Sequence, residues 1–281
     1  MINRFILPAP SLRRYIRHYQ LCHFTFSGEF PTPIKSYPAC PEEGFSFFLR
    51  GQLQTECPDL NKSEKRAKTA IFGLPDYRQN FVVPNDFMLL HACFQPGALY
   101  KFLGIPMPDL VHQAVDAELV LGAEIRSLSD QLANTTTYDE LPHLLDQFFW
   151  KKANQITVDT RPIDHIGLLL LSNPFAFRLE KLASEACLSP RAFEKRFMQQ
   201  VGVTPKYFAR ICRFAKAFKQ KEHQPNTDWL SLSIQNGYTD YQHLAKDFKQ
   251  FGGVTPTQLI QQTALDPEHL LGIQLETRES K

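Results

Sequence analysis

The chain has no closely spaced cysteines. Cys22, Cys40, Cys57, Cys93, Cys187 and Cys212 are scattered, with no CxxC among them. That excludes the common structural zinc spacings and supplies no disulfide framework. Long apolar runs are missing too. The longest aliphatic stretch, 166–171, is far short of the roughly 20 residues a helix needs to cross a bilayer. Near the start, Phe5-Ile6-Leu7 is broken by Pro8, too short for a signal-peptide core. HExxH, GxSxG and GxxxxGK[ST] do not occur, which removes the commonest hydrolase and nucleotide-binding readings. His18, His23 and His91 stand apart, with no HxH or HxxxE pairing. No metal, no other cofactor and no catalytic residue is therefore expected. These absences describe a soluble, cytoplasmic chain with reduced thiols and no membrane partner.

What is present is a repeat. Phe197-Met198-Gln199-Gln200-Val201-Gly202-Val203-Thr204-Pro205 returns 51 residues later as Phe248-Lys249-Gln250-Phe251-Gly252-Gly253-Val254-Thr255-Pro256. The same offset takes Leu179 to Leu230, Ala183 to Ile234, Phe193 to Leu244 and Lys195 to Lys246. Two copies of one small unit suit a target that repeats, such as a DNA groove returning about every 34 Å. Charge agrees. Residues 161–265 hold 14 Lys and Arg against 8 Asp and Glu, a net of +6, leaving −4 for the rest of a chain whose total is +2. A basic segment joined to an acidic one points to nucleic acid, although charge clusters are commonly just solvated faces.

The 281 residues suit two domains. Residues 1 to about 95 are strand-rich. The runs 45–50, 71–72, 81–83 and 88–94 lie between Pro, Gly, Asn and Asp clusters, and 58–68 is expected to be a solvated loop. Helical spacing begins at 98–102 and continues at 123–132 and 139–151. These helices are expected to close the strand-rich domain or to form its dimer face. The polar stretch from 154 to 161 is a linker. Short helices then fill 162–265, and 266–281 forms a loose tail.

Within the helical half, 179–186 and 190–201 form one helix-turn-helix. Ser189 is placed to cap the second helix and Pro190 to start it. Phe193 and Phe197 face inward, leaving Arg191, Glu194 and Lys195 outside. In the other copy, Gly237 makes the turn and Asp240 caps a helix that buries Leu244 and Phe248. Tyr241, Gln242, His243 and Lys246 project from it. Between the copies, 205–221 carries an apolar stripe of Tyr207, Ile211, Phe214 and Phe218 beside a basic stripe of Lys206, Arg210 and Arg213. The latter suits phosphate contacts, with a merely solvated face as the equal alternative.

Residues from about 160 to 262 resemble the DNA-binding domain of the AraC/XylS family of bacterial transcription regulators. The motif Gly237-Tyr238-Thr239-Asp240-Tyr241-Gln242-His243-Leu244-Ala245-Lys246-Asp247-Phe248-Lys249, with Gly253-Val254-Thr255-Pro256, carries the likeness most specifically. Gly202-Val203-Thr204-Pro205, Tyr207 and Arg213 add to it. The resemblance implies seven helices and two recognition helices in adjacent major-groove segments of double-stranded DNA. On that model Arg191, Glu194, Lys195, Tyr241, Gln242, His243 and Lys246 read bases, and Lys206, Arg210, Arg213 and Lys249 hold phosphates. It also implies contact with RNA polymerase. The family usually has Arg where this chain has Lys195 and Lys246, and Lys lacks the bidentate fork. Met198 replaces a frequent Lys.

The stretch from Leu12 to Tyr19 and Phe94-Gln95-Pro96-Gly97-Ala98 resemble the cupin-like sensory domains attached to some of these regulators. The expected architecture is α+β: a cupin-like barrel with packed helices at 1–153, then an all-α double helix-turn-helix domain. The first domain would bind a small-molecule effector or hold a homodimer. The alternative is a cupin-type metal enzyme at the N-terminus fused to a DNA-binding domain.

Overall fold

The computed structural model describes residues 1–26, 34–57, 62–156 and 161–266. Among the described residues, ten strands come first. They are β1 (Ile2–Ile6), β2 (Ile16–Thr25), β3 (Ile34–Tyr37), β4 (Gly44–Arg50), β5 (Gln54–Cys57), β6 (Lys62–Lys65), β7 (Thr69–Phe72), β8 (Gln79–Val82), β9 (Asp86–Phe94) and, after a short helix, β10 (Ala114–Asp116). One antiparallel sheet runs β1-β2-β9-β4-β7-β10 and a second runs β3-β8-β5-β6.

The larger sheet is buried on both faces, and the alternation of its side chains sorts them by layer. On β4, Phe45 and Phe47 pack toward the helices, while Phe48 joins Cys22, Phe24 and Phe87 between the two sheets. On β9, Leu90, Ala92 and Phe94 take the helical side. That side is covered by α1 (Ala98–Leu103), α3 (Ala123–Asn134) and α4 (Glu140–Ala153); α2 (Ala117–Leu121) is a short lead-in to α3. Ile125, Leu128 and Leu132 of α3 and Leu141, Leu145 and Phe149 of α4 are all buried there, as their three- and four-residue spacing requires.

The expected loop at 58–68 needs correction. Residues 58–61 lie outside the described residues, but Lys62–Lys65 is the edge strand β6, exposed at every position. A charged edge strand shows no apolar alternation and reads as a loop, yet its charge is what deters pairing with another chain.

The helical half comprises α5 (Ile163–Ser172), α6 (Leu179–Glu185), α7 (Pro190–Val201), α8 (Pro205–His223), α9 (Trp229–Gln235), α10 (Tyr241–Gly252) and α11 (Pro256–Thr263). No described helix is long and apolar enough to cross a membrane. The expected linker and tail fall largely at 157–160 and 267–281, outside the described residues.

The two halves are closely joined. Ala39 and Leu74 of the strand-rich half lie within the apolar core of the helical half. The Ala39 amide donates to the Phe251 carbonyl at 2.9 Å, and Arg78 donates to Gln262 at 2.8 Å. The Tyr207 hydroxyl reaches Asp76 at 3.2 Å, and Lys101 pairs with Asp164 at 2.6 Å. Gly167 lets α5 approach Pro96, since a Cβ there would stand 2.5 Å from the proline ring.

Candidate nucleic-acid interface

Both helix-turn-helix units are built by the same local chemistry. Ser189 accepts from the Ala192 amide and Asp240 from the His243 amide, so each second helix starts on a side-chain cap. At their ends Gly202 (φ 93°) and Gly253 (φ 73°) take the left-handed conformation. Thr204 and Thr255 then cap α8 and α11, with Pro205 and Pro256 in their first turns.

The turns inside the units differ by one residue, which corrects the repeat as read from sequence. The Leu188 amide donates to the Ala183 carbonyl, and the Tyr238 amide to the Ser233 carbonyl. Cys187 (φ 55°) and Gly237 (φ 67°) hold the equivalent left-handed position. Thus α6 and α9 stand 50 residues apart, whereas α7 and α10 stand 51 apart, with Thr239 as the extra residue. Buried Leu182 and Ala183 correspond to buried Leu232 and Ser233. Leu230 and Ile234, aligned with Leu179 and Ala183 by the uniform offset, are instead 56 % and 63 % exposed.

The second helices bury one stripe and expose the other. Phe193, Phe197 and Val201 of α7 and Leu244, Phe248 and Phe251 of α10 are interior. Arg191 and Lys195 are exposed and Glu194 is half-buried; Tyr241, Gln242, His243 and Lys246 are exposed. His243 is less free than its position implies, because its ring nitrogen lies 3.0 Å from Asp240. Hydrogen bonding from the His243 amide holds the Asp240 carboxyl below its ordinary range, as suits a cap rather than a cytosine acceptor.

The basic stripe on α8 also needs correction. Lys206 is exposed as expected. Arg210 and Arg213, however, turn onto Asp247 of α10. Arg210 meets one carboxylate oxygen at 2.6 Å and Arg213 the other at 3.1 Å, while the Asp247 side chain is only 4 % exposed. Arg213 also lies 4.1 Å over the Tyr238 ring. A buried carboxylate demands such partners, so these guanidiniums join α8 to α10 instead of forming a free stripe. Asp247 does not stand out in the sequence because its partners lie 34 and 37 positions away, beyond any local pattern. Lys249 is exposed, with its ammonium on the Gly253 carbonyl at 2.9 Å.

In the strand-rich half, His23 and His91, which stand apart in sequence, have definite hydrogen-bond partners. His23 lies 2.6 Å from the Tyr138 hydroxyl and 3.0 Å from Asp86. His91 lies 2.8 Å from the Ser46 hydroxyl, and burial lowers it to about 4. His18 comes together with Glu42 and Cys93, a grouping that strand pairing creates and sequence spacing does not reveal. Burial lowers His18 to about 4. Burial would raise Glu42, but Arg17 at 2.6 Å overrides it and brings the carboxyl to about 2. A cavity of about 120 Å³ lies between the sheets, bordered by Phe24, Phe48, Phe81, Phe87, Glu42 and His91 among others.

A family model described as a helix-turn-helix domain matches residues 182–262. An uncharacterized HTH-type transcriptional regulator of Haemophilus influenzae is 23 % identical over 192 residues, covering 66 % of this chain and 63 % of that protein. The match thus spans less than two thirds of the relative's length. Among solved structures, a variant of apo ToxT from Vibrio cholerae is similar with a TM-score of 0.49 and 13 % identity, over 87 % of this chain and 97 % of that one. Wild-type ToxT bound to an unsaturated fatty acid gives a TM-score of 0.47 and 12 % identity, over 86 % and 94 % of the two chains. With its paired caps, paired glycines and matching family model, the segment at 182–262 is a helix-turn-helix domain.

Proposed function

We propose that the chain is a sequence-specific DNA-binding transcription regulator of the bacterial cytoplasm. In this reading α7 and α10 enter adjacent major-groove segments on one face of double-stranded DNA. One observation supports it above the rest: two capped helices of the same construction are held on α8, each burying a Phe stripe and exposing polar side chains. Arg191 and Lys195 read one element, and Gln242 and Lys246 the other. Glu194, Tyr241 and His243 flank these contacts. Lys206 and Lys249 meet phosphates, while Arg210 and Arg213 set the angle of α10 through Asp247. Binding makes and breaks no covalent bond.

Base preferences measured on a randomised duplex library test this. Substituting Arg191 or Lys195 with Ala should relax one element by about 1–3 kcal/mol, and substituting Gln242 or Lys246 should relax the other. The two elements should lie about 10 base pairs apart. Loss of preference at the same bases by both sets of variants would refute two-helix docking.

The strand-rich half is proposed to control this binding through a small-molecule effector in the cavity between its sheets. The Phe-rich border suits a mainly apolar ligand. Such a ligand acts only if it binds the DNA-competent and incompetent arrangements with different affinity. A second reading, homodimerisation, is favoured by α4, where Leu144 and Phe148 are half-buried and Trp150 is 55 % exposed. It predicts a concentration-dependent size that falls to monomer in Leu144→Ser/Phe148→Ser.

A further inference from the structure

We infer that His18, Glu42 and Cys93 bind a borderline-soft divalent cation of the Zn²⁺ class. One ligand atom from each lies within 4.8 Å of the others. Ligands at about 2.0–2.3 Å from a shared tetrahedral zinc stand roughly 3.3–3.8 Å apart, so small rotamer changes complete the site. The inference is independent of the DNA-binding reading.

Backbone register creates the grouping. His18 pairs with Cys93 across β2 and β9, just past an irregularity between Ile16 and His18. On the other side of β9, Cys93 pairs with Gly44 of β4, which brings no side chain to compete for the space. Glu42 lies two residues before that strand begins.

Each group has coordination capacity unused by the protein. His18 Nε2 is buried and has no hydrogen-bond partner. A buried nitrogen left unpaired keeps its full desolvation penalty, which a metal bond removes. The Cys93 thiol is fully buried, and its contact with the Phe94 carbonyl, at 3.9 Å, is weak. Glu42 gives one oxygen to Arg17 at 2.6 Å, while the other has only a long 3.5 Å contact with the Tyr37 hydroxyl. A carboxylate ligand supported from behind by a guanidinium is a common outer-shell arrangement.

The chemistry of the set selects the ion. Sulfur and imidazole nitrogen favour zinc over magnesium or calcium, which prefer all-oxygen sites. Thiolate and carboxylate together balance a dication, and Arg17 offsets part of that charge. On binding, the Cys93 S–H bond breaks, an S–metal bond forms and the proton passes to solvent. Three protein ligands leave a fourth position open, and Glu42 also borders the cavity between the sheets.

The test uses the full chain, stripped with a chelator under reducing conditions. Zn²⁺ is titrated against a chromophoric competitor, and Co²⁺ serves as the spectroscopic probe. One metal per chain is expected, with proton release and a thiolate-to-cobalt charge-transfer band. His18→Gln and Cys93→Ser should each weaken Zn²⁺ binding by roughly tenfold or more, and Cys187→Ser, at an exposed thiol, should not. If Cys93→Ser does not fold, the wild-type cobalt spectrum decides. Sub-stoichiometric binding, absence of the thiolate band, or affinity unchanged in His18→Gln would overturn the site.

Discussion

Asp247 shows how one residue can control a surface it does not form. Its carboxylate is buried, and two cations from α8 hold it. Removing one partner of a buried pair leaves the remainder desolvated, at about 3–5 kcal/mol. The guanidiniums here stay partly exposed, at 32 % and 26 %, so they can rehydrate and the cost should fall below that range. Asp247→Ala should therefore lower stability by about 2–3 kcal/mol in urea titration. It should weaken DNA binding mainly at the bases assigned to α10. A second residue-scale prediction concerns the two left-handed turn positions. Cys187 adopts φ 55° with a side chain, whereas Gly237 adopts φ 67° without one. Cys187→Gly should stabilise by about 0.5 kcal/mol, the relief of left-handed strain less the entropy of glycine. Gly237→Ala should destabilise by about 1–2 kcal/mol or more, since its Cβ would also stand 2.8 Å from the Phe175 ring. Thermal unfolding of the two variants measures both signs.

Among the elements, caps and stripes were the most legible. The helix at 190–201 starts as its Ser-Pro signal predicts and keeps its predicted bounds, and α3, α4 and α8 each run two residues past the predicted C-terminal end, with α4 also starting one residue later. Asp240→Ala should cost about 1 kcal/mol by loss of the cap, and Ser189→Ala a similar amount, both measurable by denaturant titration. Strands were harder to read. On β2, His18 and Gln20 interrupt the apolar pattern on the face turned to the space between the sheets, and His23 interrupts it on the helical face, where it meets Tyr138. β6 carries no apolar residue at all. The repeat was read one residue out of phase in α9 because Leu230 and Ile234 are apolar yet exposed, while the true core position is Ser233. That serine tolerates burial by donating to the Trp229 carbonyl at 2.7 Å, a bond the residue type alone does not reveal. On α8, Lys206 can be tested apart from the clamp. Lys206→Ala should flatten the dependence of DNA affinity on salt by about one logarithmic unit and affect all sequences alike.

For the whole molecule, the shared core is the dominant fact. Ala39 and Leu74 pack among helices of the other half, so the helical domain is completed by residues from the first. The full chain should accordingly unfold in one calorimetric transition. Gly167→Leu, wedged against Pro96, should resolve two transitions, with the helical half melting first. The one-residue difference between the two turns has a further consequence for anyone wishing to retarget the chain. A transplant of a whole helix-turn-helix copy into the other's place would carry the wrong spacer and rotate the grafted surface. Cut instead at the capping residues, Ser189 and Asp240, the reading helices become interchangeable cassettes, because from there to the following Thr-Pro the two copies keep the same phase.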